Sequence, residues 1–267
     1  MPRLRSTRFG THPDVPDRRD HLYVPPKGIV DTLPTRVSLV TRGSPVYDQG
    51  HTLNSCSANA VGAALWFLER RHHPRAPSPS RLFLYYNERA REGLTGTNAP
   101  VSLRSGYKSV ATQGVCAEAM WPYRDDRFAA TPPPPCYDAA LEHRAIRYFR
   151  LRRELVMFRS CRAEGFPFTL GLSVHTSFET PAVQRTGAVP VPKAHERQLG
   201  GHAVLIVGYD DRRRLFTFQN SGGRTWGHLG FGTLPYAFLL EPELAWDFWT
   251  VRREGTGRQA LKPRGSR

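Results

Sequence analysis

The chain has 267 residues, 39% apolar and 23% charged, which suits one large domain or two small lobes around a buried core and does not suit wholesale disorder. Its clean apolar runs, such as 203–207, fall far short of the ~20 residues that cross a bilayer, and the opening MPRLRSTRFG lacks the apolar stretch of a secretory signal, so a cytoplasmic protein is expected, with no membrane partner. The formal charge of +15 points to nucleic acid, but only Lys27, Lys108, Lys193 and Lys262 are lysines, and the arginines are scattered without a helix-turn-helix or RNP pattern, so a nucleic-acid partner is not expected.

Residues 1–45 carry Pro13, Pro16, Pro25, Pro26 and Pro34, which forbid long helices and predict an extended arm over the surface. From Ser55, a good N-cap, Val61, Ala64, Leu65 and Leu68 fall at helical spacing until Pro74 closes the segment. A second helix is predicted over 80–92, with Leu82, Phe83, Tyr86 and Ala90 on one face, and a third over 102–113, ended by Gly114. The proline run at 131–136 reads as a rigid surface connection near a lobe boundary. Strands are predicted at 168–174, 203–208, 215–219, 230–234 and 248–252, separated by turns with Gly, Asp and Arg. Helices first and strands second argue for an α+β fold. The last stretch, 252–267, is basic, has no apolar period and reads as a flexible tail.

Four cysteines without a CxxC exclude a disulfide scaffold and the usual zinc ribbons, and no disulfide is expected in a reducing compartment. Cys56 falls in the first turn of the first long helix, where unpaired N–H groups and the helix dipole favour an anion and lower a thiol pKa. Alone, such a cysteine is as readily a small buried hydrophobe. Gln49, in YDQG, carries an amide able to donate to a developing oxyanion. His202 opens GGHAVLIVGYDD at the head of a predicted strand, and Asn220 ends the next strand, LFTFQN. They lie roughly 150 and 160 residues after Cys56 and complete a nucleophile, base and orienter set. The weaker candidates His72, His73, His195 and Glu196 read as solvated, and Trp246 and Trp249 as packing for the closing strand.

Four blocks in order, PVYDQGHTLNSCSANAVGAAL, GVCAEAMWPY, GGHAVLIVGYDD and FQNSGGRTWGHLGFGTLPY, resemble the papain-like cysteine peptidases, above all their short prokaryotic type. The resemblance covers about residues 12–251. It implies a helical lobe and an antiparallel β-barrel lobe with the site in the cleft between them. The catalytic part would span 46–251, helical to about 150 and β from about 151, with the arm at 1–45 gating the cleft. Cys56 would be the nucleophile, His202 the base and acid, and Asn220 the orienter. Gln49 and the Cys56 N–H would hold the oxyanion, while Gly200, Gly201 and Ala203 would flank the substrate. No metal or cofactor is implied, and the partner is a peptide or protein.

The chain departs from that family in four places. One extra residue lies between Gln49 and Cys56. Gly222 stands where a tryptophan shields the Asn–His bond, which predicts access of water to it. Asn98, Ala99, Pro100 and Val101 replace a substrate-binding glycine pair, and the cysteine that forms a disulfide beside the nucleophile is absent. Two competing readings stay open. One is a catalytically silent binding module on the same fold, and the other a thiol acyltransferase that passes the acyl group to a nucleophile other than water.

Overall fold

The computed structural model describes residues 9–143 and 146–253. Helix α1 (Cys56–His72) is buried on almost every face of its first turns. Its Ala58, Ala60, Ala63 and Ala64 are small enough to admit a sheet on one side and two helices on the other. Those helices are α2 (Arg81–Arg91), capped by the Ser80 hydroxyl on the Phe83 N–H, and α3 (Leu103–Gln113), capped by Ser102 on the Ser105 N–H. α3 stops at Gly114, whose φ is 77° and where a side chain would collide with the Ala140 carbonyl. The proline run, expected to be a rigid connection, instead enters α4 (Pro134–Ala140), because a proline in the first turn loses no helical hydrogen bond.

The sheet contains β1 (Arg36–Ser38), β2 (Ile146–Arg150), β3 (Phe168–His175), β4 (Gln198–Asp210), β5 (Leu215–Gln219), β6 (Phe231–Pro235) and β7 (Ala245–Arg253). Short helices α5 (Leu155–Ala163), α6 (Pro181–Thr186) and α7 (Tyr236–Leu240) connect its strands. The order is β2-β7-β3-β4-β5-β6, antiparallel throughout. The described pairings leave β2 and β6 as edges, so the sheet is open where a closed barrel was expected. β2, which precedes the boundary expected at about 150, already belongs to it through the register Ile146↔Arg253 to Arg150↔Trp249. Arg252 and Arg253, assigned to the tail by sequence, close β7; the rest of the tail lies outside the described residues.

β4 organises the molecule. Ala203, Leu205 and Val207 face the helical core around α1, while Val204 and Ile206 face the second core with Phe168, Phe216 and Phe218. That alternation is the period of two that a strand imposes on its side chains. Its first half pairs with β3, and Gly208, Tyr209 and Asp210 pair with β1, so the arm contributes a strand. No helix among the described residues is long and apolar enough to cross a membrane, and all four cysteines are free.

Candidate active site

Cys56 is the first residue of α1 and has no exposed surface. Ser55 does not cap the helix as expected. Its hydroxyl is engaged with the Tyr123 hydroxyl at 2.5 Å and with Asn59 Nδ2 at 3.2 Å. The longer turn before Cys56 is held from both sides. Asn98 Oδ1 accepts the Asn54 N–H at 2.9 Å, Asn98 Nδ2 donates to the Thr52 carbonyl at 2.7 Å, and the Tyr123 hydroxyl donates to the Gln49 carbonyl at 3.0 Å. The extra residue is thus absorbed by a built turn.

His202 stands on β4, which packs against α1, and is 1% exposed. Its Nε2 lies 2.7 Å from Asn220 Oδ1. The Ser221 main-chain N–H, which can only donate, meets the same Oδ1 at 2.9 Å. That atom is therefore an acceptor, Nε2 carries the ring hydrogen, and Nδ1 is the basic nitrogen. Nδ1 is buried without a partner among the described residues. Ser221 extends the chain further, since its hydroxyl donates to Gln49 Oε1 at 2.6 Å, and the Gln49 N–H donates to the Ser221 carbonyl at 2.9 Å. His202, Asn220, Ser221 and Gln49 thus share one buried hydrogen-bonded path. Ser221 escaped the sequence reading; its only signal is its place directly after Asn220.

The bond expected to be open to water beside Gly222 is closed. His202 meets the rings of Phe178 and Phe9 edge-on, at 6.0 and 5.6 Å between centroids. Trp226 stacks on Phe178 at 5.6 Å. A different set of aromatics takes the shielding position, and Phe178 carries no signal of this in sequence.

Phe9 belongs to the arm, and with it Gly10 and Thr11 run through the site. The Thr11 N–H donates to the Gly201 carbonyl at 3.2 Å, and the Val101 N–H donates to the Gly10 carbonyl at 3.4 Å. Thr11 Oγ1 also donates to the Val101 carbonyl at 2.8 Å. The glycines make room for this: a Cβ on Gly201 would stand 2.2 Å from the Thr11 carbonyl oxygen, and one on Gly10 2.3 Å from Asn54 Cβ. Val101, in place of a glycine pair, offers its main chain to the arm. Beyond the cleft, Asp14 accepts from the Arg104 N–H at 3.0 Å and from Trp249 Nε1 at 2.8 Å, and Arg104 and Arg150 both grip Asp20.

This cover decides the electrostatics. Burial pushes the Cys56 thiol up to about 11, against the N–H groups of Ala203, Gly10 and Ser57 that favour its anion. Burial likewise pulls His202 down to about 4, with the Asn220 bond acting the other way. The thiol was expected to be acidified by the helix terminus. In the covered site desolvation outweighs that field, and sulfur and imidazole are both neutral between those values.

Of the weaker candidates, His72, His73 and His195 are exposed, while Glu196 is spent on the Ser177 and Lys193 N–H groups. No group of three His, Cys, Asp or Glu suited to a metal occurs among the described residues.

No protein-family model matches the chain. It is 34% identical, over 92% of its length and 87% of the relative's, to an uncharacterised peptidase C1-like protein of Acanthamoeba polyphaga mimivirus. Among solved structures it is similar to xylellain, a cysteine protease from Xylella fastidiosa, with a TM-score of 0.85, 37% identity and coverage of 92% of this chain and 96% of the other. Digestive procathepsin L 3 from the larval midgut of Tenebrio molitor shares the fold, with a TM-score of 0.67 at 18% identity, covering 87% of this chain and 73% of the other. A helix-borne cysteine, a strand-borne histidine paired to an asparagine, and these relatives lead to one conclusion: the chain belongs to the papain-like, peptidase C1 family of cysteine peptidases.

Proposed function

We propose that the chain hydrolyses peptide bonds of peptides or proteins through a thioester on Cys56. His202 Nδ1 takes the thiol proton, the sulfur adds to the scissile carbonyl, and the proton then passes to the departing amine. Water, deprotonated by the same nitrogen, cleaves the thioester and restores the thiol. Gln49 and the Cys56 N–H hold the oxyanion, Asn220 fixes the ring, and Gly200, Gly201 and Ala203 flank the bound backbone. The observation that carries this reading is the fixed tautomer of His202, which leaves Nδ1 as its basic, unpartnered atom. Cys56→Ala is expected to abolish both turnover of a fluorogenic peptide and labelling by a thiol-directed probe; unchanged turnover would overturn the proposal.

The arm, residues 1–45, acts in this reading as a gate, and the described form is the latent one. A neutral thiol at about 11 is also what a silent binding module would present, so displacing the arm separates the two. Removing residues 1–12 keeps the Asp14 and Asp20 anchors in place, and is expected to raise probe labelling of Cys56. Labelling that stays at the full-chain level in a folded truncation supports the silent module. Transfer of the acyl group to an added amine in preference to water would mark an acyltransferase. Four free cysteines fit a reducing, cytoplasmic setting.

A further inference from the structure

The N-terminus of α1 has a second acidic group beneath it that the mechanism does not use. Glu88, on α2, is fully buried, and its Oε1 accepts the Ser57 hydroxyl at 2.6 Å. The Ala58 N–H is among the influences that favour its anion. Ala58 is the third residue of α1, the usual target of an N-capping side chain. With the Ser55 hydroxyl turned to Tyr123, a carboxyl from another helix is tied to the first turn of α1 through Ser57.

Glu88 makes no ion pair among the described residues. Along α2 its charged neighbours are committed elsewhere. Arg89 donates to the carbonyls of Tyr85, Thr95 and Thr97, and Glu92 to Ser102 and His12 as acceptor. Tyr85 and Cys56 are the other titratable groups that feel it. From α3 it meets Gly106, where a Cβ would stand 3.0 Å from Oε2, an oxygen buried without a partner among the described residues.

A helix end stabilises an anion placed on it, and two like charges in one dry site exclude each other. We propose that Glu88 is a positioning residue that holds the first turn of α1 through Ser57 and sets how readily this helix end accepts a negative charge on the Cys56 sulfur. Burial, the largest influence, pushes the carboxyl up to about 8, so its ionisation belongs to the alkaline range and opposes thiolate formation there. The inference rests on Cys56 as the nucleophile, but its test does not require turnover.

The test follows the Cβ chemical shift of Cys56 in the full chain labelled with 13C-cysteine, assigned by its loss in Cys56→Ser, from neutral to alkaline pH. Glu88→Gln keeps an oxygen for Ser57 and removes the charge; its thiol midpoint is expected about one unit lower than in the parent. Glu88→Leu, which removes the carboxyl altogether, is expected to shift the midpoint the same way. An unchanged midpoint in folded Glu88→Gln overturns the inference; if that variant does not fold, an unchanged midpoint in folded Glu88→Leu does so. Absence of peptide hydrolysis by the arm-displaced chain alongside a shifted midpoint would overturn the peptidase reading and leave this one standing.

Discussion

At the scale of single residues, the imidazole of His202 is held by one oxygen. Asn220→Ala would leave Nε2–H buried and unpaired, which costs about 1–3 kcal/mol, and would free the ring to turn. A fall in kcat of about tenfold or more at little change in KM is expected from steady-state kinetics on an arm-displaced chain. Ser221→Ala removes a hydroxyl one step further along the path and is expected to cost less. The pKa values make a second prediction with a definite sign. Burial raises the Cys56 thiol to about 11 and lowers His202 to about 4. Uncovering the cleft readmits water, so the thiol should titrate lower and the imidazole higher. Titration by NMR of the 1–12 truncation checks this; values unmoved from the full chain would contradict it.

At the scale of elements, sequence pattern was most legible where burial is one-sided or total. α1, α2 and α3 were placed within a residue or two, because apolar spacing, Ser80, Ser102 and Gly114 mark them locally. β5 was read at its observed bounds, whereas β4 is longer than its apolar run, since Gly200 and Gly201 carry no side chain to register. α4 was hidden by its prolines and β2 by its two arginines, Arg147 exposed and Arg150 paired with Asp20 and Asp247. The site was legible as residue types in order. Its cover was not, because Phe178, Val101 and Glu88 matter through contacts with residues distant in the chain, which topology rather than propensity sets. The arm itself tests as an element. Gly10→Val meets Asn54 and should lift the arm from the cleft, raising alkylation of Cys56. The clasp of His12 on Glu92 adds a pH dependence. With His12 raised to about 9 chiefly by its bond to Glu92, the clasp is intact below pH 6.5 and is lost as pH rises through 9. Glu92, held near 2 by His12 and Ser102 against its burial, contributes above pH 4.5 and is lost as pH falls through 2. Hydrogen exchange at the Thr11 N–H, corrected for its intrinsic rate, is expected to accelerate above pH 9 and in His12→Ala.

For the whole molecule, the charge of +15 has a structural use that composition could not disclose. Arg89, Arg153 and Arg162 point guanidinium N–H groups at main-chain carbonyls, Arg162 at Val207 of β4, and Arg71 and Arg252 lie over the Phe166 ring. Such arginines join segments and are not offered to phosphate. The arm joins both lobes, since Asp14 touches α3 and β7 while β1 extends the edge of β4 beyond β3. Cover and scaffold are therefore one continuous segment, and in the proposed gate only its first described residues would move. The decisive measurement is the rate of fluorogenic peptide hydrolysis by Gly10→Val, with and without Cys56→Ala. A covered cysteine peptidase predicts hydrolysis at least about tenfold faster than the full chain, abolished when Cys56 is replaced. A folded Gly10→Val chain that does not hydrolyse, or hydrolysis that survives Cys56→Ala, would contradict it.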